Sequence, residues 1–259
     1  RSDGGAAVRS LTISDPALVA RSRSAPPTPA SPAEVWWAGD LVLADADPVA
    51  SWVGRINGVT VAQGTSGNRP AFDIDGAGGR PSVAFDGTTD FLRHVGTLST
   101  SLSGCVIAVI SGAAASAQEV WASGDEASTT RYVEGQLSST PRAVISQRNN
   151  DTNDVVTATT TTISSAAHIV EWASSGTAYS LRVDNAVQSL TVSGGSNTGD
   201  WFGDTSARDN FTIGALVRTT TILYFGGRVA YLGVFDAPLA DGDRGDLYAW
   251  LGAHYGIAV

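Results

Sequence analysis

The chain has 259 residues, a formal net charge of −9 and a pI of about 4.6. With 42% hydrophobic residues and seven Trp, it can bury a sizeable core, and all-β sandwiches of this length often form one unit. The negative charge argues against a nucleic-acid partner, because phosphate contact needs clustered cations. No apolar run approaches the ~20 residues of a membrane span, which argues against membrane insertion.

Residues 1–33 differ from the rest of the chain. Four prolines lie between Ser24 and Pro32, and they predict an extended segment that forms neither a helix nor a central strand. We therefore expect 1–33 to be an arm or linker, either a disordered leader or an arm that docks on a neighbouring subunit. The chain begins at Arg1 and contains no Met, so we expect a processed product or an excised fragment. Residues 34–259 are predicted to form the globular domain.

Short apolar stretches alternate with turn signals from Pro81 onward. Asp86-Gly87, Asp184-Asn185 and Gly194-Gly195 are typical of hairpin turns. The predicted strands are 82–86, 90–95, 104–111, 118–123, 130–137, 142–147, 154–159, 167–173, 178–184, 187–192, 210–216 and 225–236. A dozen short strands with regular turns predict an all-β protein, an antiparallel β-sandwich or barrel.

Residues 240–255 break this pattern and predict one short C-terminal helix. One helical face carries the i, i+3, i+4, i+7 set of Leu247, Trp250, Leu251 and His254. Asp241 or Asp243 can cap the start of the helix, and Gly256 can end it.

The strand before this helix is apolar on both faces. Strict alternation places Val229 with Tyr231 on one face and Ala230 with Leu232 on the other. We therefore expect a central strand that the helix covers on one side.

Two stretches carry a family resemblance. The first is Asn68–Phe72 with Gly79–Leu92, and the second is Phe225–Leu239 with the helix that follows. They resemble the opening "RP…GRP-x-V-x-F-D-G-x-x-D-x-L" and the closing "G-x-I-x-x-x-x-V-(Y/F)-D-x-x-L-(S/A)" segments of the concanavalin A-like lectin/glucanase superfamily, in its laminin G-like branch. Val35–Asp40 and Val49–Trp52 resemble the opening of its bacterial and phage versions.

The resemblance implies a jelly roll over 34–257, of the kind found in phage virion and bacterial surface proteins. It says little about activity, because this architecture hosts lectins, hydrolases, lyases, adhesins and virion proteins.

Catalytic signatures are scarce in the sequence. Hydrolases of this superfamily place acids on one strand as Glu-x-Asp-x-(x)-Glu, and none of the five Glu here lies in that pattern. Asp73 and Asp75 share a strand face but lack a third acid. There is no Gly-x-Ser-x-Gly elbow, although the spacing leaves a Ser-His-Asp arrangement open. The sequence therefore favours a non-enzyme, with a polysaccharide hydrolase or lyase as an alternative.

The resemblance makes calcium a candidate cofactor, because lectin-like and laminin G-like proteins often use it, and such a hard cation needs several oxygen ligands. Asp200, Asp204 and Asp209 crowd one loop and form the candidate metal site. A solvated acidic loop is the alternative.

The long polar loop 194–210 is the first candidate for ligand binding. It carries an aromatic pair beside polar groups, as a sugar-binding surface requires, in Trp201, Phe202, Arg208 and Asn210. The alternative is that Trp201 turns inward as a loop anchor. A second candidate patch, on adjoining strands, consists of Trp121, Arg131 and Tyr132.

These observations predict a non-catalytic carbohydrate-binding or adhesion domain of an extracellular or virion assembly, such as a phage tail or capsid appendage. The expected partners are a cell-surface glycan or polysaccharide and, through the arm, other virion or surface proteins. Assembly into a homo-oligomer stays open. The main alternative is a purely structural packing module of a virion or surface.

Overall fold

The computed structural model describes residues 25–112 and 116–259, in which nineteen strands and one α-helix are found. The strands are β1 (Pro32–Trp37), β2 (Ser51–Val53), β3 (Thr60–Ala62), β4 (Ala71–Ala77), β5 (Arg80–Asp86), β6 (Leu92–Val95), β7 (Gly104–Ser111), β8 (Gln118–Gly124), β9 (Arg131–Leu137), β10 (Ala143–Asn149), β11 (Thr152–Ala158), β12 (His168–Ser174), β13 (Tyr179–Val183), β14 (Ala186–Val187), β15 (Leu190–Gly194), β16 (Asn210–Ile213), β17 (Leu216–Val217), β18 (Thr221–Ile222) and β19 (Gly226–Phe235). The helix, α1, spans Asp241–Tyr255. The predicted antiparallel β-sandwich with a single C-terminal helix is confirmed.

Two large antiparallel sheets form the sandwich. The eight-stranded sheet runs β14-β13-β12-β7-β19-β5-β4, and β1 also pairs with β19. The nine-stranded sheet runs β15-β11-β10-β9-β8-β16-β6-β3-β2. The small β17–β18 hairpin packs against the outer face of the nine-stranded sheet through Leu216 and Ile222, which contact Ala122 and Tyr132.

Two apolar cores hold the layers together. The main core lies between the two sheets, where Trp36, Trp121 and Trp172 are fully buried. The second core lies between the eight-stranded sheet and α1, where Leu247 and Leu251 are buried. Burial of apolar area against both faces of this sheet is the main stabilising contribution to the fold.

Strand β19 does not keep strict alternation. A bulge between Val229 and Tyr231 shifts its register against β7. Val229 and Leu232 consequently face the main core, whereas Ala230 and Tyr231 face α1. The prediction that Val229 and Tyr231 share a face is therefore wrong, because the bulge inserts one residue into the period of two. The predicted helix beside this strand is confirmed.

Helix α1 begins without a side-chain cap and ends at Gly256, which has a left-handed φ of 69°. The predicted stop is thus confirmed, while neither candidate N-cap is: Ala240 is the N-cap residue, and Asp243 instead accepts a hydrogen bond from the backbone N–H of Ala30 (3.1 Å). No helix within the described residues has the length and apolar character needed to cross a membrane.

The described part of the N-terminal arm lies on this helix. Pro26 and Pro29 are buried, and β1 already begins at Pro32. Residues 1–24 of the predicted arm lie outside the described residues, so the arm's role stays a prediction.

Candidate functional site

The two aromatic residues of loop 194–210 point into the protein. Trp201 and Phe202 are both 0% exposed and contact each other edge to face, with ring centroids 5.2 Å apart. Trp121 is also 0% exposed and contacts both rings. This corrects the expectation that these three rings offer a stacking surface. Trp201 instead turns inward and anchors the loop, which is the alternative that the sequence left open.

Arg208 holds the same loop in place. Its guanidinium lies over the Phe202 ring at 5.0 Å, and its donors are used by internal acceptors: the carbonyls of Phe202, Thr205 and Ser99, and Ser123 Oγ. Because these internal acceptors already take up the guanidinium, this side chain stabilises the loop rather than a ligand. The prediction of Arg208 as a ligand contact is corrected accordingly.

The side chain of Asn210 is also used within the protein. It is 0% exposed, and its amide nitrogen donates to the carbonyl of Val217 (3.2 Å) and to Asp209 Oδ1 (3.0 Å). It thereby connects β16 to the β17–β18 hairpin and has no surface for a ligand, which corrects this prediction too.

Arg131 and Tyr132 lie nearer the surface. Arg131 is half-buried and forms an ion pair with Asp125 (3.1 Å), while Tyr132 lies beneath the guanidinium of Arg218 at 5.6 Å from its ring centroid. With Trp121 in the core, these two residues do not combine with it into one patch. A ligand-binding role for Arg131 and Tyr132 stays a prediction.

The three predicted metal ligands do not gather at one point. Asp204 accepts a hydrogen bond from the N–H of Trp201 (2.8 Å), and Asp209 accepts one from the N–H of Glu126 (3.1 Å). Burial and the charge of Asp204 raise the pKa of Asp200. Across residues 25–112 and 116–259, no group of three or more His, Cys, Asp or Glu side chains is arranged to hold a metal ion. The predicted site at Asp200, Asp204 and Asp209 is corrected: at least two of these acids instead accept hydrogen bonds from backbone N–H groups.

A different surface has the features of a binding site. It is a cleft of about 560 Å³ between β1, the β4–β5 turn and α1, and such a volume suits a small ligand. We call it the Trp37 cleft; the residues that define it are Trp37, Asp40, Arg55, Arg80 and His254.

Trp37 forms the floor of this cleft. The indole Nε1 donates to Tyr255 Oη (3.0 Å), and the ring contacts His254 edge to face at 5.7 Å. The Arg55 guanidinium lies over the ring at 5.3 Å. Only 8% of Trp37 is exposed, so the ring offers its rim rather than a whole face.

The polar groups of the cleft carry a positive excess. Arg55 forms an ion pair with Asp40 (2.6 Å). Arg80 donates its Nε to the carbonyl of His254 (3.1 Å) and has no carboxylate partner within the described residues. Burial and the nearby Arg80 charge lower the pKa of His254 to about 4, so this imidazole is neutral at pH 7. The free guanidinium edge of Arg80 therefore favours an anionic group.

The Trp37 cleft unites the stretches that carry the family resemblance. Val35–Asp40 supplies the floor, Gly79–Leu92 supplies Arg80, and the closing helix supplies His254. Only the fold brings these stretches together, so their shared cleft could not be seen in the sequence.

A smaller groove of about 360 Å³ lies near the edge of the nine-stranded sheet, lined in part by Gln63, Phe91 and Arg93. We call it the Phe91 groove. Arg93 forms an ion pair there with Glu126 (2.5 Å), so this groove has less uncommitted positive charge than the Trp37 cleft.

The structure also contains an acid pair that the strand pattern missed. Glu119 on β8 and Glu134 on β9 share the outer face of the nine-stranded sheet and are 0% and 3% exposed beneath the β17–β18 hairpin. Gln136 Nε2 donates to Glu119 Oε1 (2.7 Å), and the two carboxyl groups lie close enough to affect each other's pKa. Burial raises the pKa of both acids, that of Glu134 to about 7 and that of Glu119 well above its usual range, where the charge of Glu134 adds to the effect.

Comparisons with known proteins define the fold alone. No protein-family model matches the sequence, and no curated protein matches it. The carbohydrate-binding module CBM40 of the Ruminococcus gnavus IT-sialidase, bound to alpha2,3 sialyllactose, is similar with a TM-score of 0.50 and 15% identity over 58% of this chain and 82% of that chain. The same module bound to alpha2,6 sialyllactose gives 0.50 and 14% over 58% and 84%. Trypanosoma rangeli sialidase, in complex with the inhibitor DANA, gives 0.55 and 10% over 83% and 32%.

At these identities the likeness establishes the β-sandwich fold alone. It does not distinguish the laminin G-like branch, which stays a prediction.

Proposed function

We propose that this chain is a carbohydrate-binding domain that holds a carboxylated saccharide in the Trp37 cleft. The observation that carries the proposal is the combination of an indole floor with the Arg80 guanidinium, which lacks a carboxylate partner within the described residues. A guanidinium binds a carboxylate through strong, charge-assisted hydrogen bonds. The indole rim gives an apolar contact to the sugar ring.

The other groups of the cleft suit saccharide hydroxyls. Asp40 accepts hydrogen bonds, and the neutral His254 imidazole both donates and accepts. The fold is that of sialidase carbohydrate-binding modules, two structures of which hold sialyllactose. Sialyllactose carries a carboxylate, so it is a suitable first probe for this cleft.

The setting that we propose is an extracellular or virion assembly in which the domain acts in adhesion. The acidic composition, which keeps copies of the chain apart in solution, and the Pro-rich arm support this part of the proposal.

The acid pair does not favour a retaining glycosidase. Such enzymes separate their carboxyl groups by roughly 5 Å to admit the sugar carbon. Glu119 and Glu134 are instead 0% and 3% exposed, so neither carboxyl group is open to a sugar.

Isothermal titration calorimetry with sialyllactose and lactose tests the proposal. We expect sialyllactose to bind at least tenfold more tightly than lactose, and Arg80→Gln to remove about tenfold in affinity, because one charge-assisted hydrogen bond is lost. Arg93→Gln in the Phe91 groove is the matched control and should bind like the wild type.

Equal affinity for the two sugars would contradict the carboxylate assignment. Loss of binding in Arg93→Gln but not in Arg80→Gln would show that the sugar binds in the Phe91 groove instead of the Trp37 cleft. A glycan array without any binding, on a protein with unchanged melting temperature, would leave the structural packing module as the better reading.

A further inference from the structure

Three side chains at one end of the eight-stranded sheet form a continuous hydrogen-bond chain. Ser164 Oγ lies 2.9 Å from His168 Nε2, and His168 Nδ1 lies 2.6 Å from Asp184 Oδ2. Nucleophile, base and orienting carboxylate thus follow one another at hydrogen-bond distance, which is the geometric signature of a Ser-His-Asp triad.

Two of these residues are held by regular structure. His168 opens β12, and Asp184 begins the two-residue turn that joins β13 to β14. Asp184 and Asn185 both have positive φ, 49° and 66°, as a tight hairpin turn of this type requires. Asp184 is fixed to β12 because its Oδ1 accepts the N–H of Ile169 (2.8 Å) while its own N–H donates to the carbonyl of Ile169 (2.8 Å).

The hydrogen bonds define the tautomer of the histidine. A carboxylate only accepts, so His168 Nδ1 carries the proton that binds Asp184. Nε2 is then the acceptor, and both the hydroxyl and the backbone N–H of Ser164 donate to it. This is the tautomer in which the imidazole can take the proton of a serine hydroxyl.

The nucleophile is accessible. Ser164, Ser165 and Ala166 are all exposed, and buried Ile163 anchors the loop by donating its N–H to the carbonyl of Pro141 (2.7 Å). The backbone N–H of Ser165 has no hydrogen-bond partner in the described part of the chain. It directly follows the nucleophile, which is where acyl-transfer enzymes commonly place an oxyanion donor.

We propose that Ser164, His168 and Asp184 form a second functional site, one that hydrolyses carboxylic esters. Its substrate class is a short acyl ester, such as an acetyl group carried on a larger molecule, because an exposed serine favours a small acyl group over a long chain that needs apolar enclosure. The site is separate from the Trp37 cleft, so this inference stands independently of carbohydrate binding.

The reaction balances without any added cofactor. Ser164 Oγ forms a bond to the ester carbonyl carbon while His168 Nε2 takes the hydroxyl proton, and the Ser165 N–H stabilises the resulting oxyanion. The carbon–oxygen bond to the alcohol then breaks, and the alcohol leaves with the proton from His168. Water, deprotonated by the same imidazole, attacks the acyl-serine, which releases the carboxylic acid and returns the proton to Ser164. Asp184 is a positioning residue, since it touches the imidazole and not the substrate.

The test uses p-nitrophenyl acetate with the whole chain. We expect p-nitrophenol release together with an acetyl adduct on the peptide that contains Ser164, detected by mass spectrometry. Ser164→Ala should abolish the adduct and lower the rate by about 100-fold or more, the usual contribution of a base-activated nucleophile. Ser180→Ala is the matched control, because this exposed serine on β13 lies outside the proposed site and its loss should leave the rate and the adduct unchanged.

Asp184→Asn tests the positioning role. It should lower kcat with KM nearly unchanged, since the imidazole loses its preferred tautomer while the substrate contacts stay. A fluorophosphonate probe should label Ser164 in the wild type, and Asp184→Asn should slow that labelling.

Two results would overturn the proposal. One is an identical rate in wild type and Ser164→Ala without an acetyl adduct, which would be a background reaction of the His168 imidazole alone. The other is failure of the fluorophosphonate to label Ser164 in a wild-type chain with a cooperative melting transition.

Discussion

The buried carboxyl groups of Glu119 on β8 and Glu134 on β9 interact with each other across two paired strands of the nine-stranded sheet. The Oε2 atoms of both residues are buried, and no N–H or O–H of the described residues reaches them. A proton held between the carboxyl groups satisfies both oxygens, which agrees with the raised pKa of each acid. Arg218 lies close enough for its charge to lower both pKa values in part.

The acid pair predicts a pH-dependent stability. Glu134 has a pKa of about 7 in the folded protein and 4.5 as a free side chain, so the folded state binds more protons between these values. The contribution of Glu134 to the free energy of unfolding should therefore be fully present below pH 4.5 and be lost as the pH rises through 7.

Glu134→Gln tests this, because it replaces the ionisable group with a neutral amide that can donate to Glu119. The free energy of unfolding should be measured by urea denaturation for both proteins. Between pH 4.5 and 8.5, the difference between them should change by roughly 2–3 kcal/mol in favour of the variant. Parallel stability curves for the two proteins would contradict the prediction.

Trp201 is predicted to stabilise the fold rather than to contact a ligand. Truncation of this fully buried ring should cost about 3–5 kcal/mol in Trp201→Ala, because it leaves a cavity beside Trp121 and Phe202. Val42→Ala is the control, since Val42 is 97% exposed and should change stability by less than about 0.5 kcal/mol. Chemical denaturation measures both. An equally small effect at Trp201 would return this residue to the candidate ligand surface.

One ion pair connects α1 to β12 and offers an internally matched test. Arg244 contacts Glu171, which is 1% exposed and also accepts from Tyr248 Oη (3.1 Å), and it contacts Asp241, which is fully exposed. Arg244→Ala should destabilise the protein by about 3 kcal/mol, because the Glu171 charge is left buried and unpaired. Asp241→Ala removes an exposed partner of the same arginine and should change stability by less than about 1 kcal/mol. Similar losses in both variants, measured by thermal unfolding, would contradict the argument.

Gly135 on β9 lies directly against the indole of Trp121. A Cβ at this position would overlap the Nε1 edge of the ring, although the backbone there is an ordinary strand. Gly135→Ala should therefore destabilise by about 1–3 kcal/mol through overpacking. Gly64→Ala, where a Cβ meets open space, should be nearly neutral by the same melting assay. An equally small change in both would show that the Trp121 ring can move.

The strands and the helix could be predicted from sequence because their signals are local. Alternation, turn residues and the Gly256 stop each depend on a few neighbouring positions. The bulge at Ala230 could not be predicted, since a bulge depends on how two strands pair. The residues on either side of Ala230 are apolar, so the sequence fits either assignment of these residues to the two faces of the sheet. Strands β2, β3, β14, β17 and β18 are two or three residues long, too short for a period of two to be visible.

The sites were less predictable than the fold. Trp201 in a long polar loop has the same sequence signature whether its ring faces solvent or the core. Glu119 and Glu134 are fifteen positions apart and meet only because β8 pairs with β9. The Ser164 hydroxyl and His168 are near in sequence, but the position of Asp184 depends on the pairing of β12 with β13.

Strand β19 determines when the chain can fold. It lies between β7 on one side and β5 and β1 on the other, and β1 pairs with β19 alone, so the eight-stranded sheet is three separate pieces until residues 226–235 exist. Pairing of Glu34 with Val234 closes a loop of nearly the whole domain, and such long-range contacts make folding slow. During synthesis the large apolar strand β7 has half of its partners missing until the last part of the domain leaves the ribosome. The incomplete domain must therefore avoid aggregation for most of the time during which it is synthesised.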